Sequence, residues 1–160
     1  MGTNVKSTAR IMDATRHLVR AIAGSARAVE ARSGISGAQL FILSQLDGSE
    51  HPLSVGELAS RTFTHQSTVS GVVGALVARG LVTRRPAPDD ARRVDVALTS
   101  AGRSLLAHAP TTVQTQLLRG LGRLNAATRA VLADALEAWL EEAGLGGEPA
   151  PLFFEPDDSR

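Results

Sequence analysis

The sequence predicts a mainly helical (α+β) protein in which a single β-hairpin interrupts a chain of amphipathic helices. Apolar residues recur with helical spacing over most of the 160 residues. Residues 81–98 instead alternate between apolar and polar side chains around a turn rich in proline and aspartate, which is typical of a hairpin. A helix–turn–helix pattern comes directly before it, so the predicted unit is a winged helix-turn-helix, with the hairpin as the wing.

The composition excludes several classes of protein. Hydrophobic residues make up 43% of the chain, and no apolar run approaches the roughly 20 residues that span a bilayer. The first residues lack a basic segment followed by an apolar one, so we expect a cytoplasmic location. With no cysteine, the chain offers neither disulfides nor thiolate metal ligands.

The net charge of +1 hides an uneven distribution along the chain. Residues 1–32 carry a net charge of +4 and residues 54–98 a net charge of +2, whereas residues 144–160 carry −3. Basic charge is therefore concentrated in the first helix and in the helix–turn–helix with its wing. This pattern modestly favours a nucleic-acid partner.

The first predicted helix covers residues 9–32, after polar residues 1–8 that we expect to be frayed. Ile11, Leu18, Ile22 and Val29 follow a seam close to that of a coiled coil, so residues 1–35 are assigned to dimerisation. Ser36 is a candidate N-cap for a shorter helix over residues 37–46.

The helix–turn–helix begins at Ser54, where Glu57 three residues later completes a capping box. A turn over residues 62–65 leads to a second helix from Gln66 to Gly80. One side of this helix is apolar and is predicted to face a core, through Val69, Val72, Val73 and Leu76. The opposite side carries only small residues, namely Ser67, Ser70, Gly71, Gly74 and Ala78.

The wing is predicted from strands over residues 81–85 and 92–98, joined by a turn over residues 86–91. Arginines flank its tip on both sides, at Arg84, Arg85, Arg92 and Arg93. A guanidinium suits phosphates and narrow minor grooves because it is always charged and presents several donors. Residues 36–99 thus form the predicted DNA-binding unit.

After the wing, Thr99 caps a helix that Pro110 must kink or interrupt, and Asn125 caps a last helix over residues 126–143 that Gly144 ends. The apolar faces of the terminal helices are wider than the central unit can cover. Residues 100–143 are therefore assigned to dimerisation in a twofold-symmetric homodimer. The acidic tail, residues 144–160, is predicted to be mostly irregular, and the role of its apolar Leu152-Phe153-Phe154 segment is open.

At this point the chain resembles the MarR family of bacterial transcription regulators. The resemblance spans roughly residues 9–143 and is most specific in an Asp-x-Arg wing, Asp90-Ala91-Arg92, followed by Leu98-Thr99 and Gly102. Further matches are Leu58-Ala59, Ser67-Thr68-Val69-Ser70, Leu76-Val77, Arg79-Gly80-Leu81-Val82 and Arg84-Arg85-Pro86. The resemblance implies a homodimer, a palindromic operator in double-stranded DNA, and a small-molecule pocket between the dimerisation and DNA-binding parts.

By position, the resemblance implies that the major groove is read by His65, Gln66, Ser67, Thr68, Ser70 and Gly71. It assigns the wing contacts to Arg84, Arg85, Asp90, Arg92 and Arg93, with Arg92 in the minor groove and Asp90 orienting it. Gly71 departs from the family, in which a basic residue is frequent there. Gly71 and Gly74 each cost about 1 kcal/mol in a helix, and they permit either a close approach to DNA or close helix packing. With few long side chains on this helix, we expect the wing to carry much of the affinity.

The sequence was also compared with the patterns typical of an effector pocket and of a metal site. His17, Arg16, Arg20 and Phe41 are candidates for a pocket that takes a small aromatic or anionic effector, although a solvated face and core packing explain them too. The histidines at 17, 51, 65 and 108 are scattered without ligand spacing, so no metal or other cofactor is expected.

No enzyme motif is present. From the predicted winged helix and from what the resemblance implies, we expect a ligand-responsive, DNA-binding repressor. The alternative is a winged-helix module that binds a protein helix on its small-residue face, without sequence-specific DNA binding.

Overall fold

The computed structural model describes residues 2–87 and 93–147, with side chains from residue 5 onward. It confirms a mainly helical fold with a small sheet. The elements in chain order are α1 (Gly2–Ser33), α2 (Gly37–Asp47), β1 (Leu53–Ser54), α3 (Val55–Thr62), α4 (Gln66–Ala78), β2 (Val82–Pro86), β3 (Val94–Leu98), α5 (Ser100–His108), α6 (Val113–Arg123) and α7 (Ala126–Glu142). No helix within the described ranges is long and apolar enough to cross a membrane.

The sheet is antiparallel, with β3 between β1 and β2. The hairpin β2–β3 pairs Val82 with Leu98, and β1 adds a short third strand by pairing Leu53 with Val96. The hairpin was predicted from alternation, whereas β1 is too short to produce any periodic signal. The face of the sheet that carries Val82, Val96 and Leu98 is buried.

A single core joins α2, α3, α4 and the buried face of the sheet. Helix α2 lies at its centre, since Leu40, Phe41, Ile42 and Leu43 in consecutive positions are all at most 1% exposed. A helix that is apolar all round is a buried helix. The predicted inward residues of α4 are confirmed, because Val69, Val73 and Leu76 are fully buried and Val72 is half-buried against the same core.

Helix starts agree closely with the sequence, because caps are local signals. Ser36, Ser54, Thr99 and Asn125 each accept a hydrogen bond from the backbone N–H three residues later, at 2.9–3.2 Å. Both Ser36 and Ser54 form complete capping boxes. The chain also uses a cap that the sequence did not suggest, at Thr112, which opens α6.

Two helix boundaries were not predicted correctly or fully from the sequence. Helix α1 begins at Gly2, whereas the sequence predicted its start at residue 9. Pro110 interrupts the helix after the wing completely: α5 ends at His108 and α6 starts at Val113. The backbone N–H of Val113, at the start of α6, donates to Ser25 Oγ of α1 at 3.0 Å. The segment Leu152-Phe153-Phe154 lies outside the described residues.

The wing is joined to α5 by an unusually close approach at Gly102. A Cβ added to Gly102 would lie 2.2 Å from the carbonyl oxygen of Leu81. Thr99 holds the same junction, since its Oγ1 accepts from the Gly102 amide at 3.0 Å and lies 2.8 Å from the Gly80 carbonyl oxygen, to which it donates. The Leu-Thr…Gly pattern in the sequence therefore has a packing reason, because only glycine fits this contact.

We expect Gly102→Ala to lower the free energy of unfolding by at least about 1–3 kcal/mol, the usual cost of an overpacked site. Here the clash is with backbone, which cannot rotate away. Gly120→Ala is the control, because a Cβ at that α6 position meets nothing within 4 Å and alanine raises helix propensity by up to about 1 kcal/mol. Urea unfolding measures both variants, and equal stability of Gly102→Ala and the wild type would contradict the packing argument.

Candidate nucleic-acid interface

The helix–turn–helix is formed by α3, a three-residue turn and α4. Helix α3 ends at Thr62, and the next residue, Phe63, adopts the left-handed conformation at φ 55° and is 75% exposed. A bulky residue rarely adopts this conformation, and no sequence pattern indicated that Phe63 would. His65 is the residue before α4, but its side chain makes no capping hydrogen bond. Its imidazole is exposed next to the first turn of α4.

The outer side of α4 is open, as the small residues predicted. A Cβ built on Gly71 or on Gly74 meets nothing within 4 Å among the described residues. Close helix packing within this chain therefore does not explain these glycines. Ser67 and Ser70 are exposed on the same side, and Thr68 is half-buried. The result is a flat, polar helix surface that another molecule can approach closely.

Gln66, the predicted long reader on α4, lies against the first turn of α3. Its Nε2 is 2.8 Å from the place that a Cβ on Gly56 would occupy. Gly56 thus leaves room for the Gln66 amide between the two helix N-termini. The side chain remains exposed, so its amide is presented at the same surface as the outer side of α4.

The arginines of the wing do not all face solvent in the same way. Arg84 Nη2 donates to the Ser70 carbonyl oxygen at 3.0 Å and lies 3.4 Å from Ser70 Oγ. Arg93 Nε donates to Asp95 Oδ1, two residues further along the chain, at 3.1 Å, and Asp95 is itself buried. Arg85 is exposed. Asp90 and Arg92, at the tip, lie outside the described residues, so their predicted pairing and groove contact stay predictions.

Electrostatics link α3 to the wing. Glu57, in the capping box, has a pKa below its ordinary value of 4.5, mainly because the Ser54 hydroxyl and the Ser54 amide donate to its carboxylate. The positive charges of Arg93 and Arg61 act in the same direction, whereas slight burial opposes them. A carboxylate that stays charged at the N-terminus of α3 also interacts favourably with the helix dipole.

The proposed effector residues are not all brought together. Arg16 and Arg20 line an open groove of about 510 Å³ along α1, together with Arg27 and Val19. Phe41 is fully buried in the core, in agreement with the packing interpretation, and does not line this groove. His17 is exposed beside Asp13, with Nε2 3.6 Å from Oδ2, and does not line the groove either.

In residues 5–87 and 93–147, no three His, Asp or Glu side chains come close enough together to hold a metal ion.

The roles of two residues in this region were not predicted from the sequence. Asp95 stands between the apolar residues Val94 and Val96, and its position two residues after Arg93 on a strand was the available signal. Phe63 carried no comparable signal, because its conformation depends on how α3 and α4 are packed together.

Comparisons with known proteins agree on one family. A family model described as "MarR family" matches residues 33–93, which include α2, α3, α4 and β2. The chain is 38% identical over 91 residues to the HTH-type transcriptional repressor NicR of Pseudomonas putida, covering 56% of this chain and 57% of NicR. It is 35% identical over 74 residues to the repressor YetL of Bacillus subtilis, covering 46% and 44%. The chain thus spans about half the length of these two relatives.

Similarity over nearly the whole length comes from a third relative and from a solved structure. The uncharacterised HTH-type transcriptional regulator ML2140 of Mycobacterium leprae is 30% identical over 135 residues, which cover 84% of this chain and 94% of ML2140. The crystal structure of the transcriptional regulator BldR from Sulfolobus solfataricus superposes with a TM-score of 0.56 at 25% identity, covering 86% of this chain and 97% of BldR. These relatives are named as regulators and not as enzymes.

The lowered pKa of Glu57 predicts a specific pH dependence of stability. Because the pKa is lower in the folded state, the stabilisation is complete above pH 4.5 and is lost as the pH falls through the folded-state value. Glu57→Gln keeps a side-chain oxygen acceptor but cannot titrate. We expect the wild type to lose more stability than Glu57→Gln between pH 7 and pH 3, measured by urea unfolding. Glu50→Gln, which removes a carboxylate from an exposed loop, is the control; identical pH profiles for Glu57→Gln and the wild type would refute the prediction.

Proposed function

The chain belongs to the MarR family of transcriptional regulators, and from this premise we propose that it is a ligand-responsive repressor that binds a palindromic operator as a homodimer. The observation that carries the proposal is the open side of α4 with the arginines of the wing beside it. DNA binding is implied by the family. The surface supports a binding geometry in which α4 lies in the major groove and the wing lies along the DNA backbone.

The shape of α4 supports a close approach to bases. Two glycines and two serines leave the helix narrow on its outer side, so its backbone can enter the groove deeply. Gln66 is the side chain with both an amide donor and an amide acceptor for an adenine edge, and Ser67 and Thr68 add short polar groups. Few strong base contacts are available on this helix, so affinity depends substantially on phosphate and minor-groove contacts by the arginines.

The unburied helices support a homodimer. Within α7, all of which is described, no residue is buried, and its apolar stripe is 38–44% exposed at Leu132, Leu136, Trp139 and Leu140. Helix α1 exposes Ile11, Leu18 and Val19 in the same way. The two helices have opposite net charge, +4 over residues 1–32 and −3 over α7. We infer that α1 of one copy packs near α7 of the other, which buries both stripes and places two DNA-reading units on one side.

The groove on α1 supports an anionic effector. Arg16, Arg20 and Arg27 lie along one side of α1, beside the apolar residues Val19 and Ala23. Guanidiniums bind carboxylates with paired hydrogen bonds, and apolar side chains suit an aromatic ring. We therefore propose an aromatic acid as the ligand class. Binding of this ligand would release the protein from DNA, as a ligand-responsive repressor requires.

The DNA proposal is tested first with a generic 30-base-pair duplex at increasing salt. We expect binding at low salt that weakens steeply, with log K falling by roughly 0.9 for each phosphate contact per unit of log salt. A site selected by the protein from random sequences should contain an inverted repeat with half-sites about one helical turn apart. Absence of binding at low salt, or binding without salt dependence, would instead favour the protein-interaction module.

The share of the wing is tested by comparing Arg92→Ala with Gln66→Ala on the selected site. We expect Arg92→Ala to cost at least as much affinity as Gln66→Ala, because α4 offers few other base contacts and a wing arginine interacts with a narrow, negatively charged groove. Fluorescence anisotropy with labelled duplex measures both. A much larger loss for Gln66→Ala would show that α4 carries the affinity.

The dimer proposal is tested on α7. Leu136→Glu places a charge within the exposed apolar stripe, so we expect the dimer to dissociate at least tenfold more readily in analytical ultracentrifugation. A charge removed from water without a partner costs several kcal/mol. Ala138→Glu is the matched control, because it lies two residues further, about 200° around the helix, and is exposed. An unchanged dimer in Leu136→Glu would place the interface elsewhere, and a monomeric wild type would refute the dimer.

A further inference from the structure

Arg84 makes the contact that joins the wing to α4. It lies in the middle of β2, and its Nη2 donates to the Ser70 carbonyl oxygen at 3.0 Å while also lying 3.4 Å from Ser70 Oγ. Ser70 is in the middle of α4 and not at its end, where carbonyl groups would be free of helical hydrogen bonds. The guanidinium therefore adds a second hydrogen bond to a carbonyl that already lies inside a helix.

Gly74 lies on the same side of α4, four residues after Ser70. Side chains on a helix point back towards its N-terminus, so a long side chain at position 74 would lie over the Ser70 turn. A Cβ at position 74 meets nothing within 4 Å, so it would not reach the Arg84 guanidinium. The contact between Arg84 and Ser70 therefore does not by itself explain why position 74 is glycine.

Arg84 and its neighbour Arg85 point to opposite faces of the sheet. Arg84 pairs across the hairpin with Val96, which is fully buried, so its side chain lies on the face turned towards the helices. Arg85 pairs with Asp95 and lines an open groove on the outer face with Thr83. The two arginines are adjacent in sequence and equal in charge, yet they cannot have the same role.

We propose that Arg84 is a positioning residue, which fixes the wing relative to α4 instead of contacting a phosphate. The proposal rests on the DNA-binding function proposed above. A wing that is already oriented in the free protein loses less conformational freedom on binding, so its tip arginines reach the DNA at lower entropic cost.

The experiment compares Arg84→Met with Arg85→Met, since both remove one positive charge and keep an apolar stem. Amide hydrogen exchange of the free protein is measured first. We expect Arg84→Met to speed exchange in β2, β3 and the middle of α4 by about fivefold to tenfold, as for the loss of one hydrogen bond of ordinary strength. Arg85→Met should leave these amides unchanged, because Arg85 faces away from α4.

Binding is then measured on two duplexes, a generic 30-base-pair duplex and the site selected by the wild type. We expect Arg84→Met to keep the wild-type salt slope on the generic duplex, because no phosphate contact is lost. Its affinity for the selected site should fall about tenfold, which lowers the ratio of specific to generic binding. A slope reduced by about 0.9 with unchanged amide exchange would overturn the proposal and make Arg84 a phosphate contact.

Arg84→Lys keeps the proposal testable if the methionine variant is poorly folded. Lysine retains the charge but not the planar fork of donors. We expect it to resemble Arg84→Met in exchange and in specificity, whereas full restoration of site affinity with exchange still fast would overturn the positioning role. A wild type that binds neither duplex would refute the proposed function instead. The exchange measurement needs no DNA and would still decide whether Arg84 couples the wing to α4.

Discussion

Burial of one side of α4 fixes which residues of this helix face outward. Val69, Val73 and Leu76 are fully excluded from water, and their spacing fixes the rotation of the helix about its axis. Once these side chains are inside, Ser67 and Gly71 must be outside, because a helix has only one periodicity. The surface proposed to meet DNA is therefore set by the core behind it, at a gain of roughly 1.5–3 kcal/mol for each buried aliphatic side chain.

The wing is a small hairpin, and contacts at separate points along it compensate for its size. At its base, Gly102 lets α5 approach the Leu81 carbonyl closely. Further out, Arg93 is paired with the buried Asp95, and Arg84 is bonded to Ser70 on α4. An isolated two-stranded hairpin is marginal in water, so such contacts decide its orientation. Some charged side chains near the proposed DNA-binding surface thus stabilise the protein itself, and others remain available to contact DNA.

The terminal helices α1 and α7 differ from the core helices because they leave apolar side chains exposed. The core is complete without the apolar stripes of α1 and α7, which remain exposed at Leu18, Leu136 and Trp139. Isolated apolar residues at a surface are ordinary, but a continuous stripe along a helix marks an interaction site. The opposite net charges of the two helices are compatible with the proposed pairing of α1 with α7 of a second copy.

Features that depend on neighbouring residues could be predicted from the sequence. They include the caps at Ser54, Thr99 and Asn125, the burial of one side of α4 and the helical fold class, because capping and amphipathic periodicity act over three or four residues. Which wing arginine bonds to α4 and which to Asp95 is visible only in the folded chain. These contacts depend on how the sheet lies against the helix, over separations that no local pattern records. For the same reason Arg84 and Arg85 look alike in the sequence and differ in the fold.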